Sequence, residues 1–154
     1  MKIRRLYISK AHNFFGHHGR EAGKEPMLEV AEVECVAGSG LRGDRFFDYK
    51  PDYKGQVTFF SLRVYEELCQ TFQVYHAEPS IFRRNVITTD VDLNELIGCE
   101  FEVQGIRFEG TQEAAPCYWM NQAFHDGAEA ALQGRGGLRA RILTNGFLRQ
   151  DPQG

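Results

Sequence analysis

Cys117 is the residue of this sequence with the clearest capacity for chemistry. It follows Pro116 at the predicted start of a helix. A thiol at a helix N-terminus lies near the positive end of the helix dipole, which favours the thiolate, the form that attacks sulfur or binds metal. The alternative is a buried, unreactive cysteine, which is the commoner role. Cys35, Cys69 and Cys99 fit that role because they fall on apolar positions of predicted strands or helices.

Arginines recur in loops that contain glycine or asparagine. Glycine lets backbone N–H groups approach an anion. A guanidinium group can donate two parallel hydrogen bonds to two oxygens of the same anion. Several such loops together predict a site for a phosphate-bearing ligand, and a solvated surface of ion pairs is the alternative. The arginines are Arg42 and Arg45 in GSGLRGDR, Arg83 and Arg84 in FRRN, and Arg135 and Arg139 in GRGGLRAR.

Other chemical motifs are weaker. No loop has the GxxxxGK[ST] pattern or a GxGxxG between a strand and a helix, which disfavours nucleotide binding by those routes. His12, His17 and His18 lie in a glycine-rich loop without the cysteine or carboxylate spacing of a zinc site, so we predict no zinc. His125 follows Cys117 by eight residues in one helical segment, too far along a continuous helix for a Cys-His hydrolase pair.

The composition limits the class of protein. The 154 residues are 42% hydrophobic and 25% charged, as expected for one globular domain over residues 1–154. The formal charge of −3 argues against nucleic acid or an anionic membrane as a partner. With no apolar signal or membrane-spanning run and no CxxC, we expect a cytoplasmic protein with free thiols. Its 18 basic residues include 13 arginines, the type suited to bidentate anion recognition.

Short elements would position these residues. Alternating apolar residues predict strands over residues 2–9, 27–37 and 56–60. A helix with Ser61 as its N-cap is expected to extend to residue 72. Residues 116–132 have a helical composition, interrupted near residues 126–127.

Two hairpins are predicted from turn signals. A turn at residues 104–105 would pair Val103 with Ile106, Phe101 with Phe108 and Glu102 with Arg107, placing the apolar residues on one face. The Asn-Gly pair at residues 145–146 predicts a second hairpin, with Leu143 facing Leu148. Many short strands with few helices indicate a mainly β fold. Closure into a β-barrel with a few peripheral α-helices would remove exposed strand edges.

Four segments considered together resemble one known family. They are residues 36–46 (VAGSGLRGDRF), 83–98 (RRNVITTDVDLNELIG), 113–117 (EAAPC) and 134–146 (GRGGLRARILTNG). In this order they look like the MOSC domain family, named for the C-terminal domain of molybdenum cofactor sulfurase. The resemblance covers about residues 28–151.

The resemblance implies a closed β-barrel and a role around the molybdenum cofactor, a pterin dithiolene that carries a phosphate and is bound permanently or transiently. Cys117 corresponds to the family's reactive cysteine, which carries sulfur as a persulfide or ligates molybdenum directly. Asp44 would orient Arg45 or cap its loop rather than act as an acid. The family motifs fall on Gly43, Asp44, Arg45, Asn85, Thr88, Arg135, Gly136 and Gly137, and with Arg42, Arg83, Arg84 and Arg139 these are the expected cofactor-binding residues.

Departures from larger relatives predict partner proteins. The sequence has no desulfurase domain, so we expect no pyridoxal phosphate on this chain, and a persulfide would come from a separate cysteine desulfurase. It has no ferredoxin-like cysteine cluster, so a redox partner would supply electrons. Three hypotheses remain: a cofactor-binding or sulfur-carrying protein, a molybdenum-dependent reductase of N-hydroxylated compounds, and a non-catalytic anion-binding module. Convergence of Arg45, Arg84 and Arg135 on one cleft with Cys117 would support the cofactor hypothesis, and positions on separate surfaces would contradict it.

Overall fold

A computed structural model describes residues 1–11 and 26–152; His12, His17 and His18 lie outside these ranges. The described strands are β1 (Lys2–Ile8), β2 (Leu28–Glu29), β3 (Glu32–Val36), β4 (Gly40–Leu41), β5 (Val57–Ser61), β6 (Val86–Thr89), β7 (Glu100–Val103), β8 (Ile106–Glu113), β9 (Leu138–Ile142) and β10 (Gly146–Arg149). The helices are α1 (Leu62–Phe72), α2 (Trp119–Ala123) and α3 (Ala128–Ala131), with 3₁₀ turns at Pro79–Phe82 and Leu93–Leu96. No helix in these ranges is long and apolar enough to cross a membrane.

The fold is mainly β, as predicted, but its described strands form two open sheets rather than a closed barrel. One sheet has seven strands in the order β2-β1-β6-β5-β9-β8-β7, and the other has three in the order β10-β3-β4. The two sheets meet through isolated backbone hydrogen bonds, such as Gly38 N–H to Ile142 O at 3.0 Å and Asp151 N–H to Ile3 O at 2.8 Å. These bonds connect the sheets without a continuous ladder between the outer strands β2 and β7.

The predicted hairpin at residues 145–146 is wrong, because both edges of β9 are already paired, one with β5 and the other with β8. Strand β10 pairs with β3, so that Leu148 faces Val33 and not Leu143. The amide oxygen of Asn145 accepts a hydrogen bond of 2.7 Å from Ala37 N–H. The Asn-Gly pair therefore joins two sheets instead of turning the chain back on β9.

The other local predictions are confirmed, except for one strand that is divided in two. Strands β7 and β8 pair Val103 with Ile106, Phe101 with Phe108 and Glu102 with Arg107, as predicted. The Arg107 side chain forms its ion pair with Glu100, at 3.1 Å. Helix α1 begins after Ser61, whose hydroxyl accepts a hydrogen bond from the backbone of residue 64. The helical stretch over residues 116–132 divides into α2 and α3 around residue 127. The predicted strand over residues 27–37 is broken into β2 and β3.

Strand β5 organises the core because it is buried on both faces. Phe59 belongs to the apolar cluster between the two sheets, with Phe108 and Leu138. Phe60 points the other way, into the cluster beneath α1 that contains Leu68. Strand β5, helix α1 and strand β6 form a parallel crossover, which the sequence pattern did not indicate. The loop before β6 is thereby brought beside the end of β8 and the start of β9.

Candidate functional site

A cleft of about 270 Å³ brings Cys117 together with four of the predicted arginines. Arg45, Arg83, Arg84 and Arg139 all line it. They come from three loops or strands that are far apart in the sequence. The structure thus gathers a thiol and several cations into one concave surface.

Cys117 lies just ahead of α2 rather than within it. Its carbonyl oxygen accepts a hydrogen bond of 3.0 Å from Met120 N–H, and Tyr118 is the residue at which the helix is capped. Helix α2 has five residues, so its dipole is weaker than the prediction assumed. Because Cys117 is half-buried, it is accessible from the cleft while packed on one side.

Arg84 is bonded almost entirely to backbone carbonyl groups. Its Nε donates to Gly136 O at 3.0 Å, its Nη1 to Phe82 O at 3.2 Å and its Nη2 to Ala114 O at 2.9 Å. No carboxylate within residues 1–11 and 26–152 forms an ion pair with it. Desolvation by burial lowers the pKa of Arg84 to about 10, and its electrostatic interaction with Cys117 acts in the opposite direction.

Asp44 and Arg45 form a buried ion pair at the edge of the cleft. The Asp44 carboxylate accepts hydrogen bonds from Arg45 Nη1 at 3.1 Å, Ser9 N–H at 3.0 Å and Phe46 N–H at 3.2 Å. Arg45 Nη2 also donates to the carbonyl of Arg83 at 3.0 Å. Burial lowers the pKa of Arg45, and Asp44 opposes that shift. Asp44 therefore both orients Arg45 and caps the loop, the two roles proposed for it from the sequence.

Asn85 and Thr88 connect strands beside the cleft and do not line it. The side-chain oxygen of Asn85 accepts from the backbone and hydroxyl of Thr58, and its amide nitrogen donates to Tyr7 O at 3.1 Å. The hydroxyl of Thr88 donates to Phe60 O at 3.4 Å. Both side chains are fully buried, so their contacts join β5, β6 and β1.

The glycines of the predicted motifs allow close backbone approach. Gly43 has φ +90°, a conformation that other residues rarely adopt. A Cβ on Gly136 would collide with the carbonyl oxygen of Ala114, and one on Gly137 would collide with that of Phe59. The loop at residues 134–137 can therefore pack directly against β5 and against the segment that leads to Cys117.

Arg42 and Arg135 lie outside the cleft. Arg42 is exposed and pairs with Glu34 at 2.6 Å, whereas Arg135 pairs with Glu67 at 2.8 Å. Arg135 lines a separate cleft next to the start of α1. Of the three arginines expected to converge with Cys117, Arg45 and Arg84 do so and Arg135 does not.

A row of polar side chains crosses the floor of the cleft. Strand pairing places Thr58 opposite Arg139 and Arg139 opposite Gln112, on strands β5, β9 and β8. A β-bulge between Gly110 and Gln112 shifts the register and places Gln112 opposite Arg139. The Arg139 guanidinium lies 5.2 Å from the centre of the Tyr53 ring. Thr58 and Gln112 were missed from the sequence because only the register of three strands brings them here.

The remaining cysteines differ from one another. Cys35 is buried as predicted, and desolvation raises its pKa to about 12. Cys69 is half-buried against the second core cluster. Cys99 is exposed, so the expectation that it is a core residue is wrong. In the described part of the chain, no group of three or more His, Cys, Asp and Glu side chains is arranged to hold a metal ion.

The fold and the cleft define a β-rich domain with a cysteine beside an arginine-lined cleft. The profile of the MOSC domain family matches residues 11–152. The chain therefore belongs to the MOSC domain family, in agreement with the motif resemblance.

Solved structures share this fold at low sequence identity. YuaD protein from Bacillus subtilis has a TM-score of 0.71 and 17% identity, over 97% of this chain and 91% of that one. YiiM from Escherichia coli has a TM-score of 0.63 and 18% identity, over 94% of this chain and 65% of that one. YiiM from Geobacillus stearothermophilus has a TM-score of 0.69 and 11% identity, over 96% of this chain and 70% of that one. No curated protein matches the chain.

Proposed function

We propose that this protein binds a molybdopterin-type cofactor in the cleft and that Cys117 is its sulfur ligand, its carrier of transferable sulfur, or both. The observation that carries the proposal is the convergence of Cys117, Arg45, Arg84 and Arg139 on one cleft. The family is associated with the molybdenum cofactor, and the residues that line the cleft have the chemistry for such a ligand.

The charges of the cleft suit an anionic molecule. Arg84 and Arg139 form no ion pair with a carboxylate in the part of the chain that the structure describes, whereas Arg45 is neutralised by Asp44. A phosphate or a dithiolene would supply the missing negative charge. The cleft, about 270 Å³, is near the lower end of the roughly 300–1,000 Å³ of small-molecule pockets. It would therefore enclose one end of such a cofactor.

Several residues in the cleft and at its edge have distinct roles in this proposal. The Arg139 guanidinium and the Gln112 amide would donate hydrogen bonds to the ligand from the floor. Cys117 would supply one soft sulfur, a ligand type that suits molybdenum. Bound molybdenum would provide redox chemistry or accept a terminal sulfur. Asp44 and Arg45 would hold the adjacent wall in position.

Sulfur transfer requires a donor protein. The Cys117 thiolate would attack the outer sulfur of a persulfide on a cysteine desulfurase, forming a persulfide on Cys117 and releasing the donor thiolate. One sulfur–sulfur bond breaks as another forms, so no external oxidant or reductant is consumed. Pyridoxal phosphate would remain on the desulfurase.

Molybdenum content and sulfur load together test the proposal. The chain and its Cys117→Ser variant would be purified anaerobically from a molybdenum-replete host, with Cys99→Ser as a control at an exposed cysteine. Metal analysis and intact mass should find molybdenum or one extra sulfur atom on the parent and on Cys99→Ser, and neither on Cys117→Ser. Equal loading of Cys117→Ser would overturn the proposal.

Turnover distinguishes the remaining alternatives. Reduction of an N-hydroxylated compound by the loaded protein with an artificial reductant would identify a molybdenum-dependent reductase. Thiol labelling near pH 6 tests the non-catalytic module, which predicts that Cys117 reacts no faster than the other accessible cysteines. Preferential labelling of Cys117 would contradict the module.

A further inference from the structure

Arg139 reaches the floor of the cleft without a charged partner. Arg45 pairs with Asp44 at 3.1 Å, and Arg84 donates to three backbone carbonyls. Within residues 1–11 and 26–152, the Arg139 guanidinium instead has one hydrogen-bond partner, the hydroxyl of Tyr53, and its central carbon lies 5.2 Å from the centre of the same ring. A phenol hydroxyl is neutral at pH 7, so this contact orients the guanidinium without cancelling its charge.

The Tyr53 side chain is itself fixed beside the cleft. Its ring stacks on that of Phe46, which lines the cleft, with the ring centres 5.5 Å apart and an angle of 24° between the planes. The next residue, Lys54, is tied to strand β8, because its carbonyl oxygen lies 2.7 Å from the Thr111 hydroxyl. The same hydroxyl lies 3.0 Å from the carbonyl oxygen of Arg139. Tyr53 is therefore held close to the strand that carries Arg139.

Gly55 leaves the space that the Arg139 side chain occupies. A Cβ atom at Gly55 would lie 2.6 Å from Arg139 Nε and 2.9 Å from its Nη2, closer than such atoms approach one another in proteins. The φ angle of Gly55 is not in the left-handed region, so the contact with Arg139, and not the backbone conformation, accounts for a glycine here. The segment 53–55 thus meets the guanidinium twice, through the Tyr53 hydroxyl and through the bare backbone of Gly55.

We propose that Tyr53 is a positioning residue for anion binding: its hydroxyl, with the space left by Gly55, holds the Arg139 guanidinium in place at the floor of the cleft. The inference rests on the proposed function only in taking the cleft as an anion site. A long arginine side chain that is ordered before the ligand arrives lowers the entropic cost of binding. Its charge remains available to the ligand, because the partner that orders it is neutral.

Titration with inorganic phosphate, followed by NMR, tests the proposal. Tyr53→Phe removes the hydroxyl but keeps the ring, and it should weaken phosphate binding by about threefold. Gly55→Ala displaces the guanidinium without removing a polar group, and it should weaken binding by about threefold to tenfold. Tyr75→Phe, which makes the same change at an exposed tyrosine outside the cleft, should bind as the parent does.

A double-mutant cycle shows whether Tyr53 and Gly55 act through Arg139. In an Arg139→Gln background, neither Tyr53→Phe nor Gly55→Ala should weaken phosphate binding further, because the group that they position is gone. Urea denaturation identifies the variants that are folded, and if Gly55→Ala is not, the cycle with Tyr53→Phe decides. Additive effects, or an affinity of Tyr53→Phe equal to that of the parent, would overturn the proposal.

Arginine side-chain NMR tests the positioning without any ligand. The Nε–H signal of Arg139, identified by its loss in Arg139→Gln, should have a high order parameter in the parent and a lower one in Tyr53→Phe. The Nε–H of Arg84, which donates to Gly136 O, should stay ordered in both proteins and is the internal reference. An order parameter of Arg139 that Tyr53→Phe leaves unchanged would contradict the proposal.

The same measurements separate this inference from the proposed function. Neither the phosphate titration nor the side-chain NMR uses molybdenum, so a lack of molybdenum and of extra sulfur on the parent would reject the proposed function alone. A parent protein that does not bind phosphate measurably would overturn the anion-binding part of the inference.

Discussion

The two sides of the cleft use the same residue type in different ways. On one side, Arg45 and Arg84 are bonded to a buried carboxylate and to backbone carbonyls. On the other, Arg139 lies over Tyr53, donates to its hydroxyl and has no carboxylate partner among the described residues. We call these the closed side and the open side. The number of arginines around a cleft therefore does not equal the number available to a ligand.

The backbone surroundings decide which role an arginine takes. The closed side lies where chain segments meet, and their carbonyls need donors because buried backbone groups are costly to leave unpaired. Arg139 lies within a strand, where the sheet already satisfies the backbone. We accordingly expect closed-side substitutions to lower stability and open-side substitutions to lower ligand affinity.

The largest effect is expected at Asp44, on the closed side. Asp44→Asn removes the charge that pairs with Arg45 and places an amide donor among the N–H donors of Ser9 and Phe46. We predict a loss of about 3 kcal/mol in the free energy of unfolding, measured by urea denaturation. Glu34→Gln, which breaks an exposed ion pair, should cost less than about 1 kcal/mol. Similar losses of stability in both variants would contradict the structural importance of the closed side.

Arg139 should have a smaller effect on stability and a clear effect on binding. We predict that Arg139→Gln weakens inorganic phosphate binding by about tenfold, the contribution of one charged hydrogen bond, with the urea midpoint almost unchanged. The control is Arg141→Gln, two residues along the same strand, where the side chain pairs with Glu109 at 2.9 Å. NMR titration with phosphate would measure the affinity of both variants. Equal weakening by the two variants would remove Arg139 from the binding floor.

The smallest effect is expected at Gln112, because its amide is uncharged. Gln112→Leu keeps a similar volume but removes the donor and acceptor, and it should weaken phosphate binding by about threefold. Gln70→Leu, on the exposed surface of α1, is the matched control and should bind as the parent does. Unchanged binding in Gln112→Leu would contradict a role for Gln112 in binding the anion.

Local signals accounted for what the sequence predicted well. The turn at residues 104–105 and the Ser61 cap depend on residues within a few positions of each other. The position of Cys117 ahead of a helix also follows from a neighbouring proline and a short helical pattern. The sequence could not distinguish Arg135 from Arg139, since both lie in one glycine-rich segment, and only the tertiary contacts with Glu67 and Tyr53 separate them.

The sequence by itself determined the family, the mainly β composition and the reactive-cysteine candidate, because these depend on motifs and on local backbone preference. Tertiary structure decided that β10 pairs with β3 and that the described strands form two open sheets. It also decided that the bulge in β8 places Gln112 opposite Arg139, and that Arg84 is bonded to carbonyls. Strand partners and side-chain partners are set by contacts between residues that are distant in the sequence. Local sequence patterns do not reveal the energies of these contacts.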